Sequence, residues 1–387
     1  MKGFSLSVGA GGAPLHAAAH SHHPWPDVTL AAQETAWRDA ARLLDHKWQY
    51  IFEAVIPRAQ AHIARVTSLP DPASIVFGPN THSFVVRLFS CLPRIKPLRV
   101  LTTSSEFMSF ARQIARLEED GTLTVTRVAI EPFDTFEARF CDAAATDEYD
   151  LVYVSQVFFD SGFVLRDLAA VVNAVADPET LVVIDGYHGF MAIPTDLAPI
   201  ANRAFYLAGG YKYAMAGEGV CFMHCPPGYA ARPRDTGWYA GFSALAGNSA
   251  GVPFAKDGSR FFGATFDVSG LYRFNAVQDW LEREQLSVAG MLAHVRALEH
   301  SFLAKLDHLN APIRSADLLV SDEKRRGRFL AFRTQAAGQI TNLLAAANII
   351  VDCRGDRLRV SFGIYHEPAD AIRLAQTIAG LEITPRR

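Results

Sequence analysis

Between residues 73 and 224 the chain repeats short apolar runs, separated by stretches in which apolar residues return every three or four positions. The runs at 73–77, 98–103, 124–130, 151–155, 181–184, 203–207 and 220–224 predict seven strands. Several are continuously apolar, not alternating, which suits strands covered on both faces. The stretches 107–117 and 167–175 read as helices. In the second, Leu168, Val171, Val172 and Val175 fall at i, i+3, i+4 and i+7. Strands alternating with helices predict an α/β fold with a mostly parallel sheet. A long helical stretch at 33–65 leads from an N-terminal arm into this sheet. Pro- and Gly-rich text at 226–233 and 247–258 marks the exit from it. A helical region from 268 leads to four further strands, at 317–320, 329–332, 349–352 and 358–362, and a last helix at 369–381.

Composition narrows this picture. The chain has 387 residues, half of them hydrophobic and 20% charged, as in an ordinary soluble enzyme of two domains. The net charge of −3 and the lack of a long basic stretch argue against a nucleic-acid partner. The short run Lys324-Arg-Arg-Gly-Arg328 reads as a solvated turn between two strands. No apolar run reaches the roughly 18 residues of a membrane span, and the N-terminus lacks the apolar core of a signal peptide. The five cysteines, Cys91, Cys141, Cys221, Cys225 and Cys353, are scattered and read as reduced and mostly buried, which points to the cytoplasm.

Two residues carry the strongest chemistry. Asp185 ends the apolar run at 181–184, so it sits at the carboxyl edge of a buried strand, where open α/β sheets bind ligands. Lys212 lies in a glycine-rich, largely apolar loop between Gly209-Gly210 and Gly217 and Gly219. Desolvation lowers an amine's pKa and makes it a nucleophile suited to a Schiff base. Pyridoxal 5'-phosphate (PLP) needs such a lysine and an acidic partner for its pyridinium nitrogen. A helix N-terminus able to bind phosphate is expected at Asn80-Thr81, although either residue also serves as a plain N-cap. Arg359 is the candidate for a substrate α-carboxylate, which guanidinium binds through two parallel bonds; Arg354 and Arg357 compete for that role.

At these residues the chain resembles the class V branch of PLP-dependent aminotransferases, and within it the kynureninases. Tyr211-Lys-Tyr213 with Gly217-Glu-Gly219 is similar to the kynureninase lysine loop, and Asp185-x-x-His188 to its Asp-x-x-His. Gly237-Trp238-Tyr-Ala-Gly241 resembles Gly-Trp-Trp-Gly. Ser155-Gln-Val-x-x-x-Ser161-Gly162 and Arg359-Val-Ser-Phe-Gly-Ile-Tyr365 resemble two further segments of the superfamily. The resemblance implies fold-type I: a large PLP domain, 60–255, and a small α+β domain with an N-terminal arm, 1–59 with 256–387. It implies that Phe107 stacks on the pyridine ring and that His188 lies near the ring face or the phenolic oxygen. It also implies a homodimer in which Trp238 and Thr265 reach the neighbouring cofactor's phosphate across the interface, with Tyr211 beside the lysine. Phe110 stands where kynureninases carry aspartate, and Thr265 where they carry asparagine.

His16, His20, His22 and His23 cluster near the start and read as a metal site, an engineered tag or an arm covering the active site; the resemblance implies an N-terminal loop over the site, which favours the arm, and no second ligand cluster supports a metal. His188 stands where the cysteine desulfurases of the class carry glutamine, and Cys353, the cysteine nearest to the arginine segment, falls within a strand-like run. The expected function is therefore a kynureninase-like PLP enzyme acting on an α-amino acid through a Cα carbanion, with amino transfer or epimerisation as alternatives and a catalytically silent PLP-binding regulator as the rival class.

Overall fold

The protein is described by a computed structural model covering residues 3–93, 97–244 and 251–383. Part of the expected exit segment at 247–258 lies outside the described residues. After a short arm strand, β1 (Leu15–His16), come β2 (Ile75–Gly78), β3 (Leu98–Thr103), β4 (Leu123–Val128), β5 (Leu151–Ser155), β6 (Leu181–Asp185), β7 (Ala204–Gly209) and β8 (Cys221–His224). The last seven form one sheet in the order β2-β8-β7-β6-β5-β3-β4, in which β8 alone runs opposite to the other six. All seven expected strands are present. Every residue of β2, β5, β6, β7 and β8 is buried, which is why their runs are apolar without alternation. The edge strand β4 is largely half-buried or exposed.

The stretch 33–65 is not one helix. It divides into Val28–Leu43, Lys47–Tyr50 and Ile56–Thr67, joined by a 3-10 turn at Leu44–His46 and a wide turn at Ile51–Val55. Leu44 takes a left-handed φ of 50° with no glycine to signal it. The bend lets Trp48 and Phe52 pack on Tyr239, so tertiary contact overrides a continuous helical pattern.

Beyond the sheet lie the helices Ser269–Arg283 and Val288–His308. They are followed by β9 (Leu330–Arg333), β10 (Ile349–Ile350), β11 (Asp352–Arg354), β12 (Arg357–Val360) and the helix Pro368–Ala379. Strands β11, β12 and β9 form an antiparallel sheet, and β1 of the arm pairs in parallel with β10. The expected strand at 317–320 is reduced to a single bridge, Leu318 to Phe332. Three apolar clusters result among the described residues. The largest surrounds the seven-stranded sheet, a smaller core gathers Leu15, Ala17, Phe302, Leu330, Leu358 and Leu374, and a patch of four joins Val157, Val164, Phe329 and Ala331.

The run 324–328 is not a solvated turn. Arg326 and Arg328 are buried. Arg326 Nη1 donates to the Val320 and Ser321 carbonyls at 3.1 and 3.2 Å, and Arg328 lies over the Tyr213 ring at 5.1 Å. Alternate residues of the run turn inward, where carbonyls, Glu299 and an aromatic face take the charge. All five cysteines are free; Cys221 and Cys225 are buried and the other three half-buried. Among the described residues no helix is long and apolar enough to cross a membrane.

Candidate functional site at the carboxyl edge of the sheet

Asp185 is the last residue of β6 and is buried. Its Oδ2 accepts from the Tyr153 hydroxyl at 2.7 Å and its Oδ1 from the Tyr187 amide at 2.9 Å. Burial raises its pKa, while these hydrogen bonds and nearby Lys212 pull the other way. The Tyr153 ring stacks on Phe110 at 3.5 Å. The phenylalanine that departs from the kynureninase pattern therefore buttresses the tyrosine that holds Asp185. Behind this pair, Glu106 accepts from Thr103 Oγ1 at 2.7 Å and from Ser155 Oγ at 2.5 Å, and burial pushes its carboxyl up to about 8.

Lys212 follows β7. Gly209 ends that strand under the Tyr187 hydroxyl, which a Cβ would meet at 1.9 Å, so no larger residue fits. Gly217 turns the loop at φ +73° beneath Trp25. The amine is buried and donates to the carbonyls of His20 at 3.2 Å and Ser21 at 3.5 Å. Burial, with the Arg359 charge second, lowers its pKa to about 7, against the pull of Asp185 and Asp352.

The N-terminal arm roofs the lysine. His23 donates its amide to the Tyr211 carbonyl at 3.1 Å, and His22 stacks on half-buried Tyr211 at 5.2 Å. The four arm histidines do not converge on one point: His16 Nδ1 meets the Tyr365 hydroxyl, His20 Nδ1 meets Ser361, and His23 Nδ1 meets the Pro24 carbonyl. Among the described residues the one grouping with metal-ligand spacing is His62, Asp279 and Glu282, where Arg58 and Arg65 already pair with the two carboxylates.

Arg359, on β12, is buried. Its Nη2 pairs with Asp352, its cross-strand neighbour, and its Nη1 donates to the Phe159 carbonyl; its Nε has no partner. Arg354 is exposed, bonding the other Asp352 oxygen at 3.0 Å, and Arg357 pairs with Asp160. Of the three arginines, Arg359 alone is enclosed with Lys212. His188 is buried 5.7 Å from the Phe329 ring, with Nδ1 unpartnered. Burial, then the charges of Lys212 and Arg359, push its pKa well down, so it is neutral.

Asn80 caps the helix Thr81–Cys91 through Oδ1, which accepts from the Ser83 amide at 3.0 Å. Thr81 Oγ1 lies 3.9 Å from Cys221 Sγ, at the same sheet edge as Asp185. Phe107 meets Phe159 edge-on at 5.5 Å, next to the carbonyl that Arg359 grips. Trp238 and Thr265 are exposed and stand apart from this group: their segments pack on each other through the Tyr239 amide and the Gly263 carbonyl, at 3.2 Å. Reading residues one at a time missed Tyr153, Glu106, Asp352 and Ser361. Asp352 had a signal, a charge inside a strand-like run; Tyr153 had none, since an aromatic in an apolar strand looks like core.

Comparison with known proteins adds a family and a fold. The profile of "Aminotransferase class-V" matches residues 17–374. A probable cysteine desulfurase of Vibrio cholerae serotype O1 is 25% identical over 224 residues, covering 55% of this chain and 54% of that protein, so the match spans about half the length of the relative. A cysteine desulfurase from Thermococcus onnurineus NA1 superposes with a TM-score of 0.77 at 15% identity, covering 95% of each chain. The cystine C–S lyase C-DES, complexed with its product cysteine persulfide, gives a TM-score of 0.78 at 15% identity, over 95% of this chain and 97% of that one. A variant of the same lyase carries glycine covalently linked to PLP. These matches are to desulfurases and a C–S lyase; none of them is a kynureninase.

The residues at the sheet edge fit that cofactor. A desolvated amine, a buried carboxylate, a buried imidazole with an unpartnered nitrogen and a helix N-terminus all lie along one edge.

Proposed function

We propose, from the premise that the chain belongs to the class-V aminotransferase family and takes PLP as its cofactor, that it cleaves a bond at Cβ of a small α-amino acid, with a sulfur leaving group as the best-supported case. The observation that carries this is the burial of Lys212, Asp185 and Arg359 together, with no exposed or activated thiol among the described residues beside them: Cys221, next to Thr81 at this edge, is fully buried, and burial pushes its thiol up to about 12. Cys353 adjoins Asp352 on β11, but successive residues of a strand point to opposite faces. Asp352 meets Arg359, while Cys353 pairs with Leu358 and packs on the smaller core. With Cys353 turned to the smaller core and Cys221 buried with its thiol held protonated, a reaction that parks sulfur on a chain thiol is disfavoured, whereas release of the sulfur fragment needs none.

The bound cofactor supplies an electron sink for charge developing at Cα. In this reading Lys212 anchors it and then carries the Cα proton, an amine near neutrality being suited to both tasks. Asp185, fixed by Tyr153 and Tyr187, keeps the pyridine nitrogen protonated. His188 and Phe107 would flank the ring, with Tyr211 beside the lysine, and Asn80 and Thr81 would receive the phosphate. Arg359 would hold the substrate carboxylate, its unpartnered Nε included. Trp238, 44% exposed, adjoins Phe242, 40% exposed, on an aromatic surface. Such a surface is the kind a second copy covers, with Thr265 at its rim. We read the protein as a cytoplasmic homodimer.

A second reading, kynureninase-like hydrolysis, draws on buried His188 and on the packing of the Gly237–Gly241 stretch against Gly263. One panel decides between them: L-cysteine, L-cystine, L-kynurenine, and an amino donor with a keto acid. Pyruvate with a released sulfur product supports elimination. Anthranilate alone, amino transfer alone, or alanine with a persulfide on the protein overturns it.

A further inference from the structure

His20 belongs to the arm, far in sequence from everything it touches. It is fully buried, its ring stacked on Phe329 at 4.8 Å. Its amide donates to Ser361 Oγ at 2.9 Å, so that oxygen is an acceptor for the backbone. The Ser361 hydroxyl proton is then free to point at His20 Nδ1, 2.7 Å away. A neutral ring whose Nδ1 accepts carries its proton on Nε2. Nε2 has no hydrogen-bond partner, and faces Asp352 Oδ2 at 3.6 Å, just beyond bonding length. That Asp352 oxygen is the one that pairs with Arg359. The His20 carbonyl, meanwhile, receives Lys212 Nζ at 3.2 Å. One arm residue thus bridges the lysine and the counter-ion of the arginine.

We infer that His20 is a positioning residue for carboxylate recognition: anchored by Ser361, it presents Nε2–H to Asp352 and so fixes the Asp352–Arg359 pair beneath the roof over Lys212. The inference rests on Arg359 being the carboxylate grip proposed above. A buried guanidinium needs a fixed partner if it is to hold one geometry, because its donors are useful only when aimed. The β11–β12 ladder fixes both backbones, and His20 Nε2 lies against the carboxylate at 3.6 Å, where it favours the orientation that pairs with Arg359.

The test uses the PLP-loaded protein and two probes, L-alanine and ethylamine, which differ in the carboxylate. Binding is read from the change in cofactor absorbance, and the ratio of the two dissociation constants is the carboxylate preference. His20→Leu removes the donor and should lower the preference a few-fold, less than the roughly tenfold of a fully formed charge-assisted hydrogen bond because the contact is 3.6 Å long. His20→Gln, whose amide can still reach Asp352, should retain most of it. Ser361→Ala, which frees the ring to rotate, should lower it in the same direction and covers the case in which His20→Leu does not fold. Equal losses in His20→Leu and His20→Gln would reduce His20 to a space-filler and overturn the inference. If Arg359→Lys lowers the preference while His20→Leu and Ser361→Ala leave it unchanged, the His20 role alone is overturned. If Arg359→Lys leaves it intact, or the unaltered protein shows no preference, the Arg359 reading falls and the inference with it.

Discussion

Replacing Lys212 by methionine should stabilise the cofactor-free protein, and by an amount that depends on pH. In the folded chain the amine keeps its proton only below about pH 7, against an ordinary value of 10.5. Between those limits the unfolded chain binds more protons, so stability rises with pH through that window and the cost is whole below it. A shift of roughly 3.5 units, at about 1.4 kcal/mol each, makes that cost about 5 kcal/mol. Methionine fills similar space without a charge but loses the bonds to the His20 and Ser21 carbonyls, about 1 kcal/mol apiece. Lys212→Met should therefore be more stable than the unaltered chain by about 3 kcal/mol at pH 6, and the advantage should vanish or reverse by pH 10. Urea unfolding of both proteins at pH 6, 8 and 10 measures the difference, in which groups titrating alike in both cancel. A difference that does not change with pH, or a variant less stable at pH 6, would refute the claim that Lys212 is a desolvated amine.

Three further outcomes follow from the site. Asp185→Asn should keep the fold, since the Tyr187 amide can still donate to the side-chain oxygen and the Tyr153 hydroxyl can turn to accept from the amide NH2, yet lose about a hundred- to a thousandfold in turnover, the scale of removing one preorganised electrostatic contact; near-normal turnover would give Asp185 another role. Arg359→Lys should weaken amino-acid binding about ten- to a hundredfold with cofactor affinity intact, while Arg354→Lys, at an exposed position, should do little in the same spectral titration. Sizing in solution should find a dimer that Trp238→Asp disrupts; a fully active monomer would contradict the shared-site reading.

Much of the fold was legible because burial writes itself into the sequence. The seven strands were readable as apolar runs, and Asp185 stood out as a charge ending one of them. The break at Leu44 was not readable, because the packing of Trp48 and Phe52 on Tyr239, not a local signal, bends the chain there. The run 324–328 was misread for a related reason: a charge count does not say which arginines find carbonyls and Glu299 inside. At the site, Lys212 and Arg359 were visible as residues, but their environment was not. The arm carbonyls over Lys212 come from residues 192 and 191 positions away, and the Asp352 partner of Arg359 depends on hairpin register. Motif spacing identified the groups that meet, and tertiary structure determined what holds them.

The central claim is that Lys212 carries the cofactor, and one measurement tests it most directly. The PLP-loaded protein is reduced with borohydride, digested, and its peptides are sequenced by mass spectrometry. The account predicts a reduced pyridoxyl adduct on the Lys212 peptide and on no other lysine. An adduct on a different lysine, or none after loading, would contradict it.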